Sequence, residues 1–330
     1  MTRSGMRVLV TGGAGYIGSV LTRLLLTQGY EVRVLDSLLY GGGSLLGVLP
    51  EERFSFMRGD IRSASTVQQA VEGVDAVVHL AAMVGDLVCS RHPALAREVN
   101  HDASLQLFEL SRRVGATRFV FASTCSNYGR MADPSEFLTE DSELRPVSLY
   151  AETKVAVERA LLAQAAAEAP IVTVLRFATV FGLSPRMRFD LTVNEFTMTL
   201  LTKHKLTIYG EQFWRPYIHV RDVAHAIRLI LEASKSTVSG QAFNVGDTSQ
   251  NYQKGQLAEL IRGQIGDPCE IERVQKTEDP RDYRVRFEKI ARALDFAITR
   301  PVEMGVREIV EAISQGVITD VENPAYHNCQ

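Results

Sequence analysis

Thr11-Gly12-Gly13-Ala14-Gly15-Tyr16-Ile17-Gly18-Ser19 joins two different patterns. Before it, residues 6–10 are a short apolar run, readable as a strand buried in a parallel sheet. After it, residues 20–27 follow a helical pattern. In a strand, glycine turn and helix start, backbone amides approach a pyrophosphate and the helix N-terminus favours its negative charge. The spacing satisfies GxGxxG from Gly13 and GxxGxxG from Gly12. GxGxxG alone is weak evidence, and the flanks carry the weight. A second strand over 31–35 ends in Asp36, about 20 residues on, where such motifs place an acidic residue. A carboxylate there accepts hydrogen bonds from the adenosine ribose and repels a 2′-phosphate. Ser37 adds no basic group, so the expected cofactor is NAD and not NADP.

Farther along, residues 54–58 read as a third strand leading to Gly59-Asp60-Ile61. Residues 75–80 read as a fourth, continuing into Ala81-Ala82, where small side chains leave room for a flat ligand. His79 lies within that strand and is expected to be core packing. Residues 100–114 suit an amphipathic helix, and 117–122 a fifth strand. That strand ends in Ser123-Thr124-Cys125-Ser126-Asn127-Tyr128-Gly129, a polar cluster where parallel sheets place ligand sites. A helix starting near Ser148 then carries Tyr150-Ala151-Glu152-Thr153-Lys154. Residues four apart on a helix share a face. A lysine ammonium beside a phenol favours the phenolate, so this pair can take a proton from a hydroxyl. The strand–helix alternation predicts an α/β fold, a doubly wound parallel Rossmann sheet. Its strand ends bring the glycine turn, Thr124, Tyr150 and Lys154 to one edge.

Composition narrows the field. The 330 residues are 45% hydrophobic and 23% charged, ordinary for a globular protein. A net charge of -3 gives no case for nucleic acid or an anionic membrane. No apolar run approaches the ~18 residues that span a bilayer. The first strand begins almost at once, leaving no room for a signal peptide, and a cytoplasmic protein is expected. Cys89, Cys125, Cys269 and Cys329 show no CxxC spacing, which fits a reducing compartment without a disulfide framework or metal site.

Four features agree: the glycine stretch at 11–19, Asp36, the hydroxyl cluster at 123–126 and YxxxK at 150–154. Together they resemble the extended short-chain dehydrogenase/reductase superfamily, specifically its nucleotide-sugar epimerases and dehydratases, over residues 7–316. The resemblance implies a tightly held NAD. It puts the cofactor against Gly12, Gly15, Tyr16, Ile17, Gly18 and Asp36, with Asp60 and Ile61 at the adenine. Leu80, Ala81, Ala82 and Phe177 would pack on it. Tyr150 would be the general base, Lys154 would hold the nicotinamide ribose, and Thr124 would bond the reacting sugar oxygen.

The resemblance extends to a nucleotide-diphosphate sugar substrate. Its contacts would come from Val84, Ser126, Thr179, Arg188, Asn194, Tyr209, Arg215 and Arg281. Relatives carry Asn where this chain has Thr179. Arg215 and Arg281 match phosphate-binding positions, and guanidinium forks suit a diphosphate. The NAD-binding part is expected over 1–182 and 218–243, and a smaller, discontinuous α/β substrate part over 183–217 and 244–316. Residues 317–330 are expected as a loose tail. Helices at 101–114 and 148–166 match those that pair across a two-fold axis in the family, implying a homodimer.

The family's reactions share a first step, oxidation of the sugar's carbon-4 hydroxyl. Dehydratases carry an Asp-Glu pair after the threonine, whereas this chain has Cys125-Ser126. Serine does no general acid/base work near neutrality, so 4,6-dehydration is disfavoured. The 3,5-epimerising relatives place a thiol where Ser126 stands, and Cys125 is read as packing. A 4-epimerase is the leading expectation, with a 4-dehydrogenase releasing a ketosugar as the alternative. A non-catalytic NAD-binding regulator on the same fold is also open. Residues 180–188, 193–196 and 281–283 are most similar to a bacterial subgroup that includes GDP-heptose 4-oxidising enzymes.

Overall fold

The computed structural model describes residues 5–131, 133, 136–164, 169–266, 268–277, 279 and 281–328. Its strands are β1 (Arg7–Thr11), β2 (Glu31–Asp36), β3 (Phe54–Arg58), β4 (Ala76–His79), β5 (Arg118–Thr124) and β6 (Ile171–Phe177). They continue as β7 (Thr179–Phe181), β8 (Lys205–Tyr209), β9 (Trp214–His219), β10 (Gln241–Val245), β11 (Asn251–Gln253) and β12 (Glu270–Val274). Seven of them form one sheet in the order β10-β6-β5-β4-β1-β2-β3, with every pair parallel. This is the doubly wound sheet that the alternating pattern predicts. Its order reverses between β1 and β4, and the crevice outside that switch point is where such sheets bind ligands.

The apolar runs are strands covered on both faces. Val8 and Val10 join one buried cluster with Leu21, Leu25, Ile227 and Ile230, from helices Tyr16–Thr27 and Val220–Glu232. Leu9 joins the other with Leu107, Phe108, Val157 and Leu161, from helices Ala103–Arg113 and Leu149–Ala163. Burying one such side chain contributes roughly 1.5–3 kcal/mol. Leu105, Leu110 and Leu162, on the two helices expected to pair between copies, are partly buried against that cluster. No described helix is long and apolar enough to cross a membrane.

Two sequence expectations change, the inner domain boundary and the loose tail. Residues 171–181 form two strands, β6 and β7. The Ala178 N–H donates to Val245 O (3.0 Å), and β7 leaves the main sheet to pair with β9 in the three-stranded sheet β11-β9-β7. β8 and β12 pair separately. The boundary expected at 243/244 falls inside β10, because Asn244 and Val245 pair with Arg176 and Phe177. The tail is not loose either. Ile318 and Asn328 are buried, Phe189 N donates to Tyr326 O (2.9 Å), and the two rings meet edge to face. These anchors are few and reach residues far away in sequence, so no local pattern announces them. Cys329 lies outside the described residues.

Candidate active site

The glycine turn is built by close approach. Gly12 has φ +73°, and a Cβ there would lie 2.8 Å from Ala81 N. A Cβ on Gly18 would meet Gly12 O at 2.1 Å, and one on Gly13 would run into Val34. The helix that follows has no side-chain cap at Gly15 and no acidic residue in its first turn. Its first amides therefore have no intrahelical acceptor and carry the positive end of the helix dipole. That cradle fits a dinucleotide pyrophosphate. The Tyr16 side chain faces elsewhere: its hydroxyl donates to Gly182 O (2.5 Å), so only its backbone can serve a cofactor.

Asp36 ends β2 and accepts from Ala14 N (3.0 Å) and Leu38 N (2.8 Å). Burial pushes its pKa up, against these two bonds. Its oxygens keep lone pairs for a ribose diol. Asp60 is held by Arg62 (2.7 Å), whose bonds lower its pKa, and Ile61 is buried beside it. Leu80 and Ala81 donate to the backbone and side chain of Thr11 (3.1 and 3.3 Å), which seats the β4 end against the turn. His79 is packing, as expected. It lies between Thr11 Oγ1 (2.7 Å) and Ser104 Oγ (2.8 Å), and burial lowers its pKa to about 3.

Ser148 caps the helix Leu149–Ala163, accepting from Ala151 N (3.3 Å), which sets Tyr150 in the first turn and Lys154 one turn on. Lys154 is 2% exposed, and its ammonium donates to Ala122 O (2.8 Å), near the end of β5. It stands 6.0 Å from the Tyr150 ring centroid and 4.7 Å from that of Phe121. Thr124, where β5 ends, accepts from Ser126 N (3.1 Å), and the two hydroxyls meet at 2.9 Å. Cys125 points away: its thiol faces Arg176 O (3.2 Å), and burial raises its pKa.

The direction of one shift differs from the sequence expectation. Spacing alone predicts a tyrosine lowered by its lysine, yet burial raises Tyr150, with Cys89 and Asp86 adding to the rise and Arg188 opposing it. The same burial lowers Lys154 from 10.5 to about 8. Between those two values the unfolded chain keeps a proton that the folded chain has released, so stability rises with pH across that window. Below pH 8 both states are charged and the full cost remains, on the order of 3 kcal/mol. Lys154→Met is therefore expected to raise Tm at pH 7 by about 4 °C in the cofactor-free protein while losing turnover, as read by calorimetry and assay. An unchanged or lower Tm contradicts the burial cost.

The positions proposed for substrate divide into two groups. Arg215 is 7% exposed and pairs with Asp279 (3.0 Å). Arg281 N donates to the same carboxylate (2.9 Å), and its guanidinium reaches Asp86 (3.0 Å). Lys254, which the sequence reading missed, also pairs with Asp279 (3.0 Å) and donates to Tyr209 O (3.4 Å). Burial would raise Asp279, but Arg215 and its other partners outweigh it and hold the pKa at about 2. Tyr209 itself is exposed. Asp279 thus gathers the Arg215 and Lys254 side chains and the Arg281 amide, while the Arg281 guanidinium turns to Asp86.

The other group is tied to the glycine turn. Asn194 is fully buried with its amide already engaged, accepting from Gly182 N (2.9 Å) and donating to Arg188 O (2.8 Å) and Tyr16 Oη (3.1 Å). It holds that corner together and leaves nothing for a diphosphate. Arg188 is buried and forked onto Asp190 (3.0 and 2.6 Å). Val84, Ser126 and Thr179 are partly buried. Asn100 was also missed. It lies in a π-turn, Glu98–Asp102, and its amide clamps both Met83 N (2.8 Å) and Met83 O (2.9 Å), fixing the segment before Val84. A buried asparagine in a helical pattern gives no signal of this in sequence.

A dinucleotide cradle at the switch point of a Rossmann sheet, with a Tyr–Lys pair at its edge, defines an NAD-linked enzyme. The sequence profile of the NAD dependent epimerase/dehydratase family matches residues 8–246, and the chain belongs to that family. NAD is its cofactor. The chain is 29% identical over 326 residues to a UDP-glucose 4-epimerase of Corynebacterium glutamicum, covering 93% of this chain and 94% of that one. It is 30% identical over 317 residues to a dTDP-glucose 4,6-dehydratase of Streptomyces niveus, covering 93% and 92%. The crystal structure of a Thermus thermophilus UDP-glucose 4-epimerase in complex with NAD superposes with a TM-score of 0.80 at 28% identity, over 93% of this chain and all of that one.

Proposed function

We propose that the protein is a nucleotide-sugar 4-epimerase. Modification of a nucleotide-diphosphate sugar is supported by the similarity to enzymes of that class and by the Arg215, Lys254 and Arg281 cluster. One observation favours epimerisation over dehydration: the turn after Thr124 holds no group able to move protons near neutrality. Cys125 is buried with a raised pKa, and Ser126 is bonded to Thr124. In the proposed step Tyr150 Oη takes the proton of the carbon-4 hydroxyl, and Thr124 Oγ1 bonds the oxygen as it becomes a ketone. Lys154 holds positive charge below the phenol. NAD, held by the glycine turn and Asp36, would supply the hydride chemistry at carbon 4, and the ketosugar turned in the site would then be reduced on its opposite face.

The test is a panel of UDP-, dTDP- and GDP-sugars, GDP-heptose included, with purified protein. Conversion to a carbon-4 epimer without lasting NADH absorbance is expected. NADH accumulating in step with a released ketosugar would instead make the protein a dehydrogenase.

A further inference from the structure

Arg186 was not among the residues singled out in the sequence. It is 6% exposed, and its Nε has no hydrogen-bond partner among the described residues. Its guanidinium lies 4.1 Å from the Tyr40 ring centroid and donates to Asn328 Oδ1 (2.6 Å), a neutral acceptor. Among the described residues it forms no ion pair. Asp190 is forked onto Arg188, and Asp36 is bonded by two amides. Asp36 and Asp190 attract Arg186 without pairing with it, and a buried guanidinium left without an ion pair is costly, so this arrangement points to a negative charge from outside the chain.

The surroundings say which one. The segment carrying Arg186 is pinned to the glycine turn: Ser184 Oγ donates to Tyr16 O (2.7 Å) and meets Ser19 Oγ (3.2 Å), and Gly182 O accepts from Tyr16. Tyr40 lies between Asp36 and Ser44, whose hydroxyl donates to Ala14 O (2.7 Å). The segment carrying Arg186 is therefore held against the helix that the glycine turn opens. Burial lowers its pKa to about 10, which leaves it charged near neutrality.

We propose that Arg186, stacked on Tyr40 and steadied by Asn328, is the cation that binds the diphosphate of the dinucleotide. The C-terminal segment then serves cofactor binding, since Asn328 is its only hydrogen-bonded anchor for this guanidinium among the described residues. The inference rests on NAD as cofactor and is independent of which sugar reaction follows.

Calorimetric titration of cofactor-stripped protein tests it, with NAD, NADP, ADP-ribose and adenosine as ligands. Arg186→Met is expected to weaken NAD and ADP-ribose by about 10- to 100-fold, the worth of a charge-assisted bond, with adenosine nearly unchanged. Arg186→Lys should recover part of the loss, and Asn328→Ala should show a smaller loss of the same kind. Equal NAD affinity in wild type and Arg186→Met overturns the proposal. An equal loss for adenosine also overturns it, since that describes a shaped adenosine pocket. A greater loss for NADP than for NAD overturns it by placing the guanidinium at a 2′-phosphate. Should Arg186→Met fail to fold, Asn328→Ala carries the test, with retained NAD affinity counting against the assignment.

Discussion

Tyr150→Phe is expected to lower turnover by about 10³-fold, the range that general acid/base groups supply. The substitution removes one oxygen from a half-buried ring and leaves the helix cap at Ser148, the Lys154 bond to Ala122 O and the glycine turn intact. NAD affinity should therefore stay within about twofold, so the loss falls on kcat and kcat/KM together, as for an interaction made in the transition state. The pH profile adds a second readout. Burial raises the phenol of the protein alone, so wild-type rate should climb with pH while the base is being ionised. That limb should vanish in Tyr150→Phe. Turnover near the wild-type level in this variant would remove Tyr150 from the chemistry.

Glu158→Ala is expected to destabilise the protein by about 3–5 kcal/mol, the cost of stranding a buried partner charge. Glu158 and Arg176 are 1% and 5% exposed and form an ion pair behind the site. Ser123 Oγ donates to Glu158 (2.9 Å), and Asn127 Nδ2 donates to Ser123 (3.0 Å). Arg176 donates to Tyr128 Oη (2.8 Å), which donates to Asn244 (2.7 Å). The network joins the ends of β5, β6 and β10 and backs the turn that carries Thr124. A fall in Tm of about 5 °C is expected from a chain of this length. The paired change Glu158→Met with Arg176→Met should recover much of that loss, because no charge is left unpaired. A single variant as stable as wild type would show that the network is not holding these strand ends.

What the sequence discloses follows from the range of the interactions involved. The glycine turn, Asp36 and the β-strand pattern are local, and the parallel sheet follows from their alternation. Tyr150 and Lys154 are one helical turn apart, so spacing alone puts them on one face. The lysine's acceptor, Ala122 O, is 32 residues away, and the sign of the tyrosine shift is set by burial, with Cys89, Asp86 and Arg188 acting from distant parts of the chain. No local pattern carries that. Asn194 illustrates the same limit: its position suggested a ligand contact, but Gly182, Tyr16 and Arg188 already take up its amide. Arg186 and Asn328 are 142 residues apart, and neither is conspicuous alone. Arg215 and Arg281 were legible as cations, whereas Asp279 as the carboxylate shared by Arg215 and Lys254, and Asp86 as the partner of Arg281, came from the fold.

The proposed 4-epimerase removes a hydride from carbon 4 and returns it to the same carbon. It is tested most directly with a nucleotide sugar bearing deuterium at carbon 4, with the product analysed by NMR and mass spectrometry. The expected product has an inverted carbon 4 that retains its deuterium, with none exchanged into solvent. Deuterium found at carbon 6, or lost to water, would contradict it.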